Sequence, residues 1–426
     1  MTGRSPLTVI YGAARRVLQP VMRAVLKQRI RQGKDDPTRA GEKLGQPTVP
    51  RPDGPLVWVH AVGLGEVLAL RPLIDALQVA RPGLMVLVTS TARSSAQVIG
   101  RNLPPGALHQ MLPLDGPDFM RRFLDYWQPA LSVWSEQDLW PGAISDTAAR
   151  GIPLAYVNAR MNAVSFASRA RLAGLYRDML RRFDLVCAQD AESAAHLRLL
   201  GADAVAEMRS LKPAAPPLRV DESELETLRH ELAGRRVWVA ASTHAADEVV
   251  VIAAQQRLWA ADPAWLLILT PRLPARADEI AAALDAAGLG FVQRSRGGAI
   301  GPDTGVLLAD SFGELGLWYR LAESAFVGGS LGGAGGHNPW EAICLGVPVI
   351  CGPDTANFRA DYAELAALGL ARQIPPGDAA AQRLADEVAR SAGQGGSDDA
   401  RALVQSARLE VDGLAQKLVQ LMDVSR

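Results

Sequence analysis

Residues 56–80 read LVWVHAVGLGEVLALRPLIDALQVA, and this stretch decides the fold class. Residues 56–60 are a short apolar run, which predicts a buried strand. A turn with Gly63 and Gly65 follows, and a helical pattern runs over 66–80. The alternation repeats. Strands are expected at 84–89, 131–134, 154–158 and 185–188, with helical stretches between them, 92–101 among these. Alternating strands and helices predict an α/β, doubly wound parallel sheet. Pro-rich residues 212–218 read as a stiff linker. A second series follows, with strands at 237–241, 266–270, 290–293, 306–308, 325–327 and 347–351. The expected organisation is a segment 1–34, a domain 35–212, a linker 213–220 and a domain 221–426, with a cleft between the domains.

The chain has 426 residues, of which 48% are hydrophobic and 21% charged. Its 45 Lys and Arg balance 45 Asp and Glu. That sum excludes a uniformly basic nucleic-acid binder and an acidic disordered chain. Cys187, Cys344 and Cys351 make no disulfide framework, and no run of about 18 apolar residues predicts a membrane-spanning helix. Neutrality conceals a separation of charge, however. Residues 1–212 hold 27 basic and 18 acidic residues, a net of +9, and residues 213–426 hold 18 and 27, a net of −9. Residues 1–34 alone carry eight basic residues and no acidic one. There Val9, Ile10, Val17, Leu18, Val21, Met22, Val25 and Leu26 recur at helical spacing, and Pro20 breaks the pattern. This reads as a basic amphipathic element lying on a membrane surface. The other reading is a terminal helix packed on its own domain.

Four junctions carry chemistry. After the strand at 56–60, Glu66 opens a helix, where a carboxylate serves as a general base or merely complements the helix dipole. After the strand at 131–134, Glu136 and Asp138 suit sugar hydroxyls, although Asp138 also suits an N-cap before Pro141. After the strand at 237–241, Ser242 and His244 precede a helix and form a candidate anion site. His244 as an ordinary loop histidine is the alternative. Residues 327–341 read VGGSLGGAGGHNPWE. Six glycines let the backbone approach a ligand, and the helix start beyond Pro339 favours phosphate. Gly329, His337, Asn338 and Glu341 are the candidates there. The loop is neither a Walker nor a Rossmann fingerprint, and His and Cys show no metal-ligand spacing.

In order, the blocks HAVGLGEV, EQDLWPG, GIPLAYVNARMNAVSF, AASTH, TPRLPAR, DSFGELGLWYRLAESAFVGGS, GGHNPWEA and NFR resemble the bacterial 3-deoxy-D-manno-octulosonic acid (Kdo) transferases. The resemblance implies a GT-B glycosyltransferase with two Rossmann-like domains facing a cleft. It implies CMP-Kdo as donor, a lipid A precursor as acceptor, and a peripheral place on the cytoplasmic face of the bacterial inner membrane. The reaction would invert the anomeric centre, with Glu66 as general base. No metal or other cofactor is expected, so the phosphate needs protein donors, for which Lys212 and Arg272 are candidates. Glu341 with Asn338 matches the motif at the nucleotide, and Arg160 lies on the acceptor side with Glu136 and Asp138. Three positions that hold His in the family are Leu273, Ala334 and Asp354 here. These departures leave two alternatives open: a GT-B transferase for another nucleotide sugar or acceptor, or a non-catalytic paralogue.

Overall fold

The computed structural model describes residues 5–62, 64–91, 103, 106–391 and 398–424, the side chains of 64–66, 68 and 424 excepted. The expected helix at 92–101 lies outside the described residues. The chain forms two compact units. One comprises Met1–Ala215 with Ser406–Arg426, and the other Pro216–Gln405.

In the first unit the strands are β1 (Leu56–His60), β2 (Met85–Ser90), β3 (Ala107–Met111), β4 (Leu131–Glu136), β5 (Leu154–Ala159), β6 (Leu185–Ala188) and β7 (Ala206–Glu207). They form one sheet in the order β3-β2-β1-β4-β5-β6-β7, every pair parallel. Side-chain alternation divides β1 between two cores. Val57 and Val59 join the cluster that includes Leu70 and Leu77, whereas Leu56 and Trp58 join Phe123, Trp127 and Trp134. Trp58 is fully buried, donates to Thr89 Oγ1 at 2.8 Å and meets Phe123 edge-on at 4.9 Å. That satisfies the one polar atom of a large apolar side chain.

In the second unit the strands are β8 (Arg236–Thr243), β9 (Trp265–Pro271), β10 (Phe291–Gln293), β11 (Val306–Leu308), β12 (Ser324–Val327), β13 (Val349–Cys351) and β14 (Ala371–Gln373). They are parallel, in the order β10-β11-β9-β8-β12-β13-β14. Val237 and Val239 face one core, Trp238 and Ala240 the other. In each sheet the strand order reverses direction at a central pair, β1 and β4 in the first and β8 and β12 in the second. In open α/β sheets ligands bind at the carboxyl ends of such pairs.

The last helix, Asp398–Val424, departs from the linear division into 35–212 and 221–426. Ala400 and Leu403 belong to a core of the second unit, but Ala407, Val411, Leu414, Ala415, Leu418 and Met422 belong to a core of the first. Their stripe at helical spacing covers the face of the first sheet that holds Val57 and Val59. Position along the chain does not reveal which face a stripe buries.

Residues 5–31 also belong to the first unit. Helices Pro6–Val17 and Gln19–Arg31 meet at Leu18, beside the expected break. Arg15 is buried and bonds Asp146 at 2.9 and 2.8 Å and the Asp115 carbonyl at 2.8 Å. The Ser5 backbone N–H and the Thr8 hydroxyl donate to Asp178 at 2.6 and 2.7 Å. Polar anchors thus dock this segment, while Val9, Ile10 and Val17 are 59, 62 and 76% exposed. No helix among the described residues is long and apolar enough to cross a membrane.

Candidate active site

At the switch point of the second unit, β8 ends in a bulge. Its register against β9 shifts between Ala241 and Thr243, and Ser242 takes a φ of 55°. A non-glycine residue in this region is uncommon and marks strain, which concentrates at functional sites. The bulge turns the chain into His244, the N-cap of helix Ala245–Ala261. Asp247, three residues on, is fully buried. Its carboxylate accepts from the backbone N–H of His244 at 2.9 Å, of Gly329 at 2.7 Å and of Leu331 at 3.1 Å. One carboxylate therefore ties the end of β8 to the glycine loop beyond β12. The sequence reading assigned Asp247 no role, yet the His-x-x-Asp spacing of a capping box was visible.

Gly329 has a φ of 70°, and a Cβ there would lie 2.8 Å from the His337 ring. Glycine is required for both reasons. The loop doubles back so that Gly336 N–H reaches the Gly329 carbonyl at 2.8 Å and His337 N–H the Gly328 carbonyl at 3.2 Å. His337 Nε2 thereby comes to 2.8 Å from His244 Nε2. Burial lowers the His337 pKa, and the neighbouring His244 and Arg272 lower it further, against the pull of Asp247. Arg272 follows β9, its backbone N–H on the Thr243 carbonyl at 2.9 Å, and its side chain is exposed. The loop that carries it is pinned by Arg276, which makes two 2.7 Å bonds to the buried Glu248. Asn338 Oδ1 accepts from Trp340 N–H at 3.1 Å. Burial raises the Glu341 pKa, against a hydrogen bond from Asn338 and the charge of Arg272. Ser242, His244, Arg272, Gly329, His337, Asn338 and Glu341 therefore converge on the ends of β8, β9 and β12.

Lys212 is not among them. It belongs to the first unit, in the turn Lys212–Ala214, which packs against helix Leu64–Ala80. Glu66 lies in the first turn of that helix, and its side chain is outside the described residues.

At the switch point of the first unit, β4 runs on to Glu136, two residues past the expected end, with a φ of 59° and a register shift at Ser135/Glu136. Asn158, at a φ of 49° in β5, donates to Glu136 Oε1 at 2.9 Å. Asp138 does not cap the next helix, whose N-cap is Trp140 with no side-chain bond. Instead its Oδ2 lies 3.2 Å from Nε2 of the fully buried His60. His60 Nδ1 in turn is 3.0 Å from Thr89 Oγ1. Burial alone would raise the Asp138 pKa, but hydrogen bonds from His60 and Trp140 and the charge of Arg169 carry it below the usual range. Arg160 is half-buried, its backbone N–H on the Glu136 carbonyl at 3.2 Å.

Residues 38–215 match the family described as 3-Deoxy-D-manno-octulosonic-acid transferase (kdotransferase). The 3-deoxy-D-manno-octulosonic acid transferase of Bordetella pertussis is 38% identical over 357 residues, covering 80% of this chain and 82% of that one. The chain belongs to the Kdo transferase family. The protein of the same name from Haemophilus influenzae is 34% identical, covering 74% of each chain. The crystal structure of UDP-GlcNAc 2-epimerase from Neisseria meningitidis matches with a TM-score of 0.54 at 15% identity, over 88% of this chain and 100% of that one. This likeness is one of fold, and with the two parallel seven-stranded sheets it makes the architecture GT-B.

The departures from the Kdo transferase pattern acquire a structural account at Asp354. Its Oδ2 accepts the Gly335 N–H at 2.8 Å, and its own N–H reaches the Ser330 carbonyl at 3.0 Å. Asn357 adds a bond from Nδ2 to the Ala334 carbonyl at 2.8 Å. The Asp354 carboxylate thus fastens the glycine loop from inside the unit. Ala334 and Leu273 are exposed, and their apolar side chains offer no hydrogen bond.

Proposed function

We propose that this Kdo transferase family member moves Kdo from CMP-Kdo to a phosphorylated lipid A precursor, inverting the anomeric centre with Glu66 as general base. The observation that carries the reading is the convergence of groups suited to an anion at the ends of β8, β9 and β12: His244, His337, Arg272 and the backbone of the glycine loop. The acceptor hydroxyl oxygen attacks the anomeric carbon as its proton passes to Glu66. The bond from that carbon to the phosphate oxygen breaks, and CMP leaves. The second unit neutralises the charge that grows on the phosphate. In the first unit Glu136, Asp138 and Arg160 face the acceptor, and Lys212 lies beside the helix that bears Glu66. The test is CMP release by the purified full chain given CMP-Kdo and a lipid A precursor. Glu66→Gln should lower the rate by about 10²–10⁴-fold. A wild type that releases no CMP, or a Glu66→Gln variant as fast as wild type, overturns the reading.

The exposed Val9, Ile10 and Val17, in a segment 1–34 that holds eight basic residues and no acidic one, support attachment to an anionic bilayer at the cytoplasmic face of the inner membrane. Because Arg15 and Thr8 anchor this segment, Ile10→Asp with Val17→Asp is a cleaner probe than deletion. The pair should abolish flotation with anionic liposomes, and undiminished flotation removes the membrane role.

Asp354 favours a second reading, a different nucleotide-sugar donor, because it sets an acceptor where the family holds a donor. Stronger binding of UDP than of CMP by the full chain would select it.

A further inference from the structure

His244 and His337 meet Nε2 to Nε2 at 2.8 Å, with ring planes 10° apart and centroids separated by 5.1 Å. The nitrogen–nitrogen distance plus two ring radii accounts for that separation, so the rings lie end to end rather than face to face. This is the geometry of an N–H···N hydrogen bond, in which one ring donates and the other accepts. The pair holds one proton between its two Nε2 atoms. The capping box turns the other edge of the His244 ring toward the Asp247 backbone N–H. The surrounding loop holds His337 in place. The His337 carbonyl accepts from Tyr362 Oη at 3.0 Å, and Gly329 leaves no room for a side chain beneath the ring.

We propose that this pair is a proton-coupled clamp for the phosphate of the nucleotide leaving group, deepening the donor reading on which it rests. The two rings part, and a phosphate oxygen enters between their Nε2 atoms and accepts an N–H from each. One proton from solvent completes the second N–H. No covalent bond forms or breaks in this step: a neutral pair plus one proton becomes an imidazole and an imidazolium, and the phosphate stays ionised. When the glycosidic bond breaks, the phosphate passes from a singly charged diester to a doubly charged monoester. The clamp therefore strengthens as the leaving group departs, which is the condition for lowering a barrier.

The charged and titratable groups around the pair come from five elements. Asp247, on the helix after β8, favours the imidazolium, and Arg272, after β9, opposes it. Glu341 follows the glycine loop, and Tyr362 lies on helix Arg359–Ala367. Asp354 binds Gly335 behind the loop. Burial, His244 and Arg272 hold His337 below the ordinary histidine range, so the free His337 ring is uncharged at neutral pH. An anion reverses that balance. Affinity should therefore rise as pH falls, by up to about tenfold per unit between the free and bound pKa values.

The test is calorimetric titration of the full chain with CMP at pH 7.5, in two buffers of different ionisation enthalpy. Wild type should take up about half to one proton per CMP bound. His337→Gln should bind CMP about tenfold more weakly and take up none. CMP binding without proton uptake by wild type, or uptake unchanged in His337→Gln, overturns the clamp and leaves the donor reading standing. No binding of CMP at all overturns the donor reading, and the clamp falls with it.

Discussion

The ends of β1 and β4 carry His60, Glu136 and Asp138, whereas the ends of β8, β9 and β12 carry His244, Arg272 and a loop of glycines. In the first unit the carboxylates are partnered: Glu136 by Asn158, Asp138 by His60. In the second unit the buried carboxylate of Asp247 is spent on backbone N–H groups, and its neighbours are histidines and an arginine. The same strand reversal thus presents oriented acceptors in one unit and donors in the other. That contrast suits one unit to a polyhydroxyl acceptor and the other to a phosphate. It also teaches that topology places a site without choosing its charge.

The severest way to break the contrast is Asp247→Ala. It strands three backbone N–H groups at about 1–3 kcal/mol each where they stay buried. The expected outcome is a second unit destabilised by several kcal/mol, read as a lower denaturant midpoint, with CMP binding lost. Next in size, Arg272→Ala should weaken CMP binding by about 10–100-fold, since a charged hydrogen bond to phosphate contributes about 1.5–3 kcal/mol. The melting temperature should stay put, because the side chain is exposed. Asp138→Asn sharpens the contrast from the other side. It should lower kcat/KM for the lipid acceptor about tenfold, a loss of ~1.4 kcal/mol, and leave the CMP dissociation constant unchanged. An effect on CMP affinity would mean that the two switch points are not chemically separate.

The smallest effect is one of pH. Burial, aided by Arg39, holds His109 in the first unit down at about 3. Below the unfolded histidine value near 6.5 the unfolded chain binds a proton that the folded chain refuses, so stability falls as pH falls. The loss should approach about 1 kcal/mol per pH unit between pH 6 and 4. His109→Gln should flatten it in a urea series, and an unchanged slope would assign the acid sensitivity elsewhere.

Strands with dense apolar sequence, such as LVWVH at β1 and VLL at β11, were legible because both their faces are buried. The reading missed β3, β7 and β14, which read ALHQM, AE and ARQ. These are edge strands or their short neighbours, and a half-covered strand does not need an apolar run. The donor candidates were legible as residues and as junctions, since His-Asn-Pro after a glycine run announces a helix start. Their mutual geometry was not. The His244–His337 contact spans 93 positions, and the positive φ at Ser242 and Glu136 follows from bulges that leave no mark in residue type. The partner of Asp138 was hidden for the same reason. Its spacing before Pro141 suits an N-cap equally well, and only the fold brings His60, 78 positions away, within reach.

The final helix has a consequence for how the protein is made. Its residues 407–422 complete a core whose other buried members, from Val57 to Ala214, leave the ribosome about 190 to 350 positions earlier. The nascent first unit therefore waits through the synthesis of the entire second unit with one apolar face uncovered, an interval in which chaperones or aggregation compete for it. A chain cut after residue 405 would keep that face bare for good. It should bind a hydrophobic dye that the full chain ignores, and equal dye binding would show that the face closes without its last helix.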